Sequence, residues 1–159
     1  MKKRNVVYEK AKEFLKKYPR TIVWRLKKHC NVIEKHLNPG ETVKYVFMAQ
    51  KNHGHIGDIM SSYVIALTNK RILMGQKRMI FGYFLTAITP DMFNDLNVKA
   101  GLLWGDVEID TIKEVVKFKN IQADALAEIE TAISEYMMEE KKKISSYSNK
   151  PIERTESRI

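Results

Sequence analysis

SSYVIALTNKRILMGQ, residues 61–76, sets two β-rich runs, Tyr63 to Leu67 and Ile72 to Met74, on either side of one polar corner, Thr68-Asn69-Lys70-Arg71. Short runs rich in β-branched residues flanking a polar corner read as a hairpin. Every position from Tyr63 to Leu67 is apolar, so this arm is expected to be covered on both faces or set in a closed barrel wall. It is taken as the centre of an antiparallel sheet, from which the rest of the chain is read outward.

Upstream, TVKYVFMAQ (residues 42–50) reads as the first strand, interrupted only by Lys44. A polar loop, residues 51–58, joins it to the hairpin. Downstream, Lys77 and Arg78 mark a corner, and Met79 to Ile88 is expected as a fourth strand containing Phe81, Tyr83 and Phe84 before the break at Thr89-Pro90-Asp91. Strands five and six fall around Leu96 to Lys99 and Leu102 to Ile109, turning near Ala100-Gly101, and strand seven runs from Lys113 to Lys119. Val107 and Ile109 alternate with Asp106, Glu108 and Asp110, the pattern of one buried and one solvated face. A turn centred between Thr111 and Ile112 would set Asp106 opposite Lys117.

Helices are expected at both ends. Val7, Ala11, Phe14, Leu15 and Tyr18 recur at helical spacing from Asn5 to Tyr18, and lysines fill much of the remainder. Pro19 stops or bends that helix. A second helix, from about Arg20 to Leu37, carries the stripe Val23, Leu26, Cys30, Ile33 and Leu37, and Asn38-Pro39-Gly40 ends it. Near the other terminus, Asn120 is a candidate N-cap for a helix whose stripe is Ala125, Leu126, Ile129, Ala132, Ile133, Tyr136 and Met137. From Lys141 the polar, aperiodic KKKISSYSNKPIERTESRI is expected to be a disordered tail.

The chain has 159 residues and a net charge of +9, unevenly spread. Residues 1–40 hold 12 basic and 3 acidic groups, residues 41–119 hold 10 and 8, residues 120–140 hold none and 6, and residues 141–159 hold 6 and 2. The basic character therefore belongs to the ends rather than to the sheet. Cys30 is the single cysteine, which excludes an intramolecular disulfide and suits a reducing compartment such as the cytoplasm. No run of about 18 apolar residues occurs, and the basic N-terminus lacks the apolar stretch of an export signal.

TNKRIL, residues 68–73, following an apolar strand, resembles the core of bacterial pleckstrin-homology-like domains of the YokE type, a likeness that extends from about Gly40 to about Met138. The resemblance implies a bent barrel of seven strands closed by one helix, which agrees with the order of elements read above. The expected fold class is α+β: a basic helical hairpin (residues 1–39), a seven-stranded pleckstrin-homology-like bent barrel capped by a C-terminal helix (residues 40–140), and the tail (residues 141–159).

The resemblance also raises lipid head-group binding. Lipid-binding members place several Lys and Arg in the loop joining the first two strands, whereas this loop has Lys51, His53, His55 and Asp58. Paired cationic donors for a multiply charged phosphate are missing from it. The same loop has metal-ligand residue types but falls short of the four ligands of structural zinc, and a solvated glycine-rich loop explains it more simply. No metal or cofactor is expected. Neither a nucleophile with its base nor a phosphate-cradling glycine loop is visible, so the chain reads as a binding module and not an enzyme.

The strongest feature is the set Lys10, Lys12, Lys16, Lys17, Arg20, Arg25, Lys27 and Lys28. Charges on a helix usually face water, and that reading needs no ligand. A functional reading makes these residues the contact for a protein partner or an anionic lipid surface at the membrane periphery, with Phe14, Tyr18 and Trp24 available to enter the interface. Nucleic-acid binding through the same helices is the alternative, though no recognised motif supports it. Packing against the acidic C-terminal helix, in the same chain or in a homo-oligomer, is a further use of the charge. Residues 1–36 are expected to be dispensable for the barrel.

Overall fold

The computed structural model of the chain describes residues 4–51 and 61–148. Three helices and seven strands follow in the order α1 (Val6–Lys17), α2 (Leu26–Lys35), β1 (Val43–Lys51), β2 (Ser62–Thr68), β3 (Ile72–Lys77), β4 (Tyr83–Ile88), β5 (Phe93–Ala100), β6 (Trp104–Thr111), β7 (Val115–Gln122) and α3 (Leu126–Ser148). The strands form one antiparallel sheet ordered β4-β3-β2-β1-β7-β6-β5 and curled into a half-barrel. The α+β architecture expected from the sequence is the one found.

The central arm behaves as its apolar run requires. All seven residues of β2 are buried, between β1 and β3 in the plane of the sheet. On β6 the alternation holds as well: Gly105, Val107, Ile109 and Thr111 are buried and their neighbours are half-buried. The α3 stripe Leu126, Ile129, Ile133, Tyr136 and Met137 is buried against β5 and β6.

Four local readings are corrected. Met79 to Gly82 is not strand: Arg78 N–H donates to the Gly82 carbonyl at 3.2 Å, and Gly82 has φ +76°, so the chain turns there before β4. Asn120 does not cap α3. It lies in β7 with φ +55°, donates through its side-chain amide to Gln50, and the helix is entered later through a 3₁₀ turn at Ala123–Ala125. The last hairpin turns one residue further on, so Lys117 faces Glu108 instead of Asp106, with its Nζ 3.4 Å from the carboxylate. Finally, α3 continues to Ser148, so residues 141–148 are helical and not tail.

The helices of residues 1–36 pack into the core of the sheet. Val7, Ala11 and Phe14 of α1, and Cys30 and Ile33 of α2, are buried in the same hydrophobic cluster as the strands. The packing is close: a Cβ at Gly75 on β3 would lie 2.6 Å from Ile33 Cγ1. Helix α1 rests on β1, and α2 rests on β2 and β3. The predicted stripes are the faces that pack, and the strands they cover are apolar on both faces, which argues against these helices being dispensable for the barrel.

Candidate functional site

Thr68, Asn69, Lys70 and Arg71 form a structural clamp. Glu41 is buried, and Arg71 grips it in bidentate fashion, Nε to Oε1 and Nη2 to Oε2, each at 3.0 Å. Thr68 Oγ1 donates to Oε1 at 2.7 Å and the Asn38 N–H donates to Oε2 at 2.9 Å. Burial alone would raise the Glu41 pKa, but these donors, led by Arg71, hold it down to about 2. Asn69 accepts the Thr42 N–H at 2.9 Å and donates to the Gly40 carbonyl at 3.2 Å. The corner thus anchors the chain entering β1, and its polar atoms are spent on that task.

The eight cations singled out in the sequence divide between two settings. On α1, Lys12 pairs with Glu9 at 3.1 Å, and Lys17 forms an ion pair with Glu128 of α3. Tyr18 Oη donates to the same carboxylate at 2.7 Å. The cleft beside these residues, lined by Lys10 and Lys17, also contains Glu13 and Glu128. Lys16 and Arg20 are exposed, and the Arg20 N–H donates to the Gln122 side chain at 3.0 Å. Phe14 and Tyr18 are buried, so neither is available to enter an interface. Contact between the basic hairpin and the acidic helix is real, but among the described residues its ion pair is Lys17 with Glu128.

The cations of the second helix face a different environment. Arg25, Lys28 and Lys35 join Lys77 of β3 around a cleft of about 450 Å³ whose walls also include Asn31, His36 and Tyr83 and, among the described residues, no carboxylate. None of these four cations is in an ion pair among the described residues. His29, buried beneath, accepts the Lys77 N–H on Nδ1 at 2.8 Å and ties β3 to α2. Burial, with the charge of Arg25 adding to it, lowers its pKa to about 4 despite the Trp24 carbonyl, so it is neutral at pH 7. His36 Nδ1 donates to the Val32 carbonyl at 2.6 Å, and its Nε2 lies 2.9 Å from the Tyr83 hydroxyl. Lys27 lies outside the cleft, over the Tyr8 ring.

Above the cleft rises the β3–β4 turn. Met79, Ile80 and Phe81 are 60%, 78% and 82% exposed, an unusual display of three consecutive large apolar side chains. Cations ring its base: Arg25 Nη1 donates to the Arg78 carbonyl at 3.3 Å, Arg78 lies 5.2 Å over the Phe84 ring, and Arg25 lies 5.0 Å over the exposed Trp24. Sequence reading missed this tip by running strand four from Met79 through it, took Lys77 and Arg78 only as a corner, and did not single out Lys35. The signal was Gly82, a turn glycine placed after Met-Ile-Phe.

Among the described residues no group of three or more His, Cys, Asp or Glu side chains is placed to hold a metal. His53, His55 and Asp58 lie outside the described residues. Cys30 is buried, which pushes its thiol pKa up to about 12 and leaves it protonated. No described helix is long and apolar enough to cross a membrane.

Compared with known proteins, residues 37–135 match the family model described as the bacterial PH domain. None of the curated proteins compared matches the chain.

Proposed function

Since the chain belongs to the bacterial PH domain family, whose kind is generally non-catalytic and binds partners, we propose that it is a binding module docking peripherally on an anionic membrane surface. Within the family we assign it to the YokE type on the stretch TNKRIL, residues 68–73. One observation carries the membrane reading: an exposed apolar tip, Met79-Ile80-Phe81, with Arg25, Lys28, Lys77 and Arg78 gathered at its base. Apolar side chains that enter a bilayer interface gain the hydrophobic term, ~2 kcal/mol for a large one, and each nearby Lys or Arg adds about 1 kcal/mol at an anionic leaflet. The two terms act at one place on this surface, whereas a solvated charge face needs no apolar tip.

Vesicle sedimentation tests it. The chain should bind vesicles rich in phosphatidylglycerol, lose that binding as salt rises, and ignore purely zwitterionic vesicles. Substituting both Ile80→Glu and Phe81→Glu should weaken binding at least about a hundredfold, from two lost insertions. Leu102→Glu, at another exposed apolar turn, should change it little. Equal loss from Leu102→Glu, or binding indifferent to the tip, would refute the reading. A salt-dependent gel shift with nucleic acid but no vesicle binding would favour nucleic acid instead.

A further inference from the structure

The cleft below the tip has features that a surface for diffuse charge does not need. Four cations on α2, its N-terminal boundary and the end of β3 line it, with no carboxylate among the described residues of its walls. Cations outside ion pairs occur elsewhere on the surface, Lys16 and Arg20 among them, but these four share one cleft. Their mutual repulsion in the cleft is left for a ligand to relieve. Arg25 also occupies the left-handed region, φ +56° and ψ +35°, which is costly for any residue other than Gly, Asn or Asp and persists only where the surrounding structure holds it. Asn31 has its side-chain oxygen engaged by Asn5 at 2.7 Å, so its amide nitrogen remains a donor at the cleft wall. Arg25, Lys28 and Lys35 all precede residue 37, so this site is an addition of the N-terminal helices and not a property of the matched domain.

We infer that this cleft is a specific site for a phosphomonoester, carried by a lipid headgroup of the membrane on which the tip docks. A monoester presents three terminal oxygens and close to two negative charges, which suits a guanidinium fork, three ammonium groups and an amide donor better than a singly charged phosphodiester does. The cleft opens beside the tip, since Lys77 and Tyr83 border both, so insertion of Met79, Ile80 and Phe81 would bring headgroups to its mouth. The inference rests on the membrane reading, and its test keeps the two apart.

Full-length protein is sedimented with phosphatidylcholine vesicles containing either phosphatidic acid, a monoester, or phosphatidylglycerol, a diester, adjusted to the same surface potential. Wild type should prefer phosphatidic acid. Lys28→Ala and Lys35→Ala, both at exposed helix positions, should each weaken phosphatidic acid binding about tenfold or more and remove the preference, Lys28→Arg should retain it, and Lys16→Ala on α1 should cost less than about twofold. Equal binding to the two vesicles, or equal losses from Lys16→Ala and Lys28→Ala, would overturn the cleft and leave the membrane reading standing. Titration with soluble glycerol phosphate is the second arm: Lys28-dependent binding of it, without vesicle binding, would overturn the lipid source together with the membrane reading.

Discussion

Arg71→Ala should be among the most damaging single substitutions outside the apolar core. It removes the bidentate partner of Glu41, whose carboxylate is buried, and leaves a charge with only the Thr68 hydroxyl and the Asn38 N–H. Stranding one member of a buried pair typically costs about 3–5 kcal/mol. An independent route gives a similar size. The Glu41 carboxyl titrates at about 2 in the fold against an ordinary 4.5, and that difference corresponds to about 3 kcal/mol of stabilisation at neutral pH. Because the folded pKa is the lower one, this contribution is complete above pH 4.5 and is lost as the pH falls toward 2. Urea denaturation of wild type, Arg71→Ala, Glu41→Gln and the double variant should therefore give a loss of about 3 kcal/mol for Arg71→Ala at pH 7, a fall in melting temperature of about 6–12 °C. The loss should be much smaller in the Glu41→Gln background, and smaller at pH 3 than at pH 7. An Arg71→Ala penalty below about 1 kcal/mol, or one unchanged by Glu41→Gln, would refute the clamp.

Three further outcomes are expected. Between pH 6.5 and 4 the unfolded chain binds a proton that buried His29 refuses, so stability should fall by about 3 kcal/mol as pH is lowered through that window; His29→Gln should flatten this part of a denaturation-against-pH curve. Ile129→Asp puts a charge on the fully buried stripe of α3 and should unfold the chain at 25 °C, seen as loss of the cooperative thermal transition. Deleting residues 1–36 uncovers β1, β2 and β3, so the truncated chain should aggregate or lose amide protection on β3, whereas a soluble, cooperatively melting truncation would show the helices to be dispensable after all.

Much of the fold was legible because its signals are local. Two strand runs around Thr68 to Arg71, the alternation from Val107 to Ile109 and the 3.6-residue stripes of all three helices each depend on residues a few positions apart. Boundaries failed where a local signal was ambiguous. Met79-Ile80-Phe81 has strand composition, and only the left-handed conformation of Gly82 turns it into a tip. Asn120 has the side chain of a helix cap, but a positive φ is equally open to it inside a bent strand, and its bond to Gln50 holds it there.

The site was legible only in outline, and the reason is electrostatic. From the sequence the eight cations of residues 10–28 are equivalent, because what distinguishes them is the position of carboxylates far along the chain. Glu128 reaches back to Lys17 across 111 residues and makes that lysine part of the scaffold, while among the described residues no comparable group reaches Lys28. The same folding brings in Lys77 and Arg78, which the sequence had assigned to a mere corner, and sets them beside Arg25. Unbalanced charge is therefore a property of the assembled sheet edge, and it coincides with a turn where three large apolar side chains stand in water. Either feature alone has an ordinary explanation; their contact is what argues for a membrane surface.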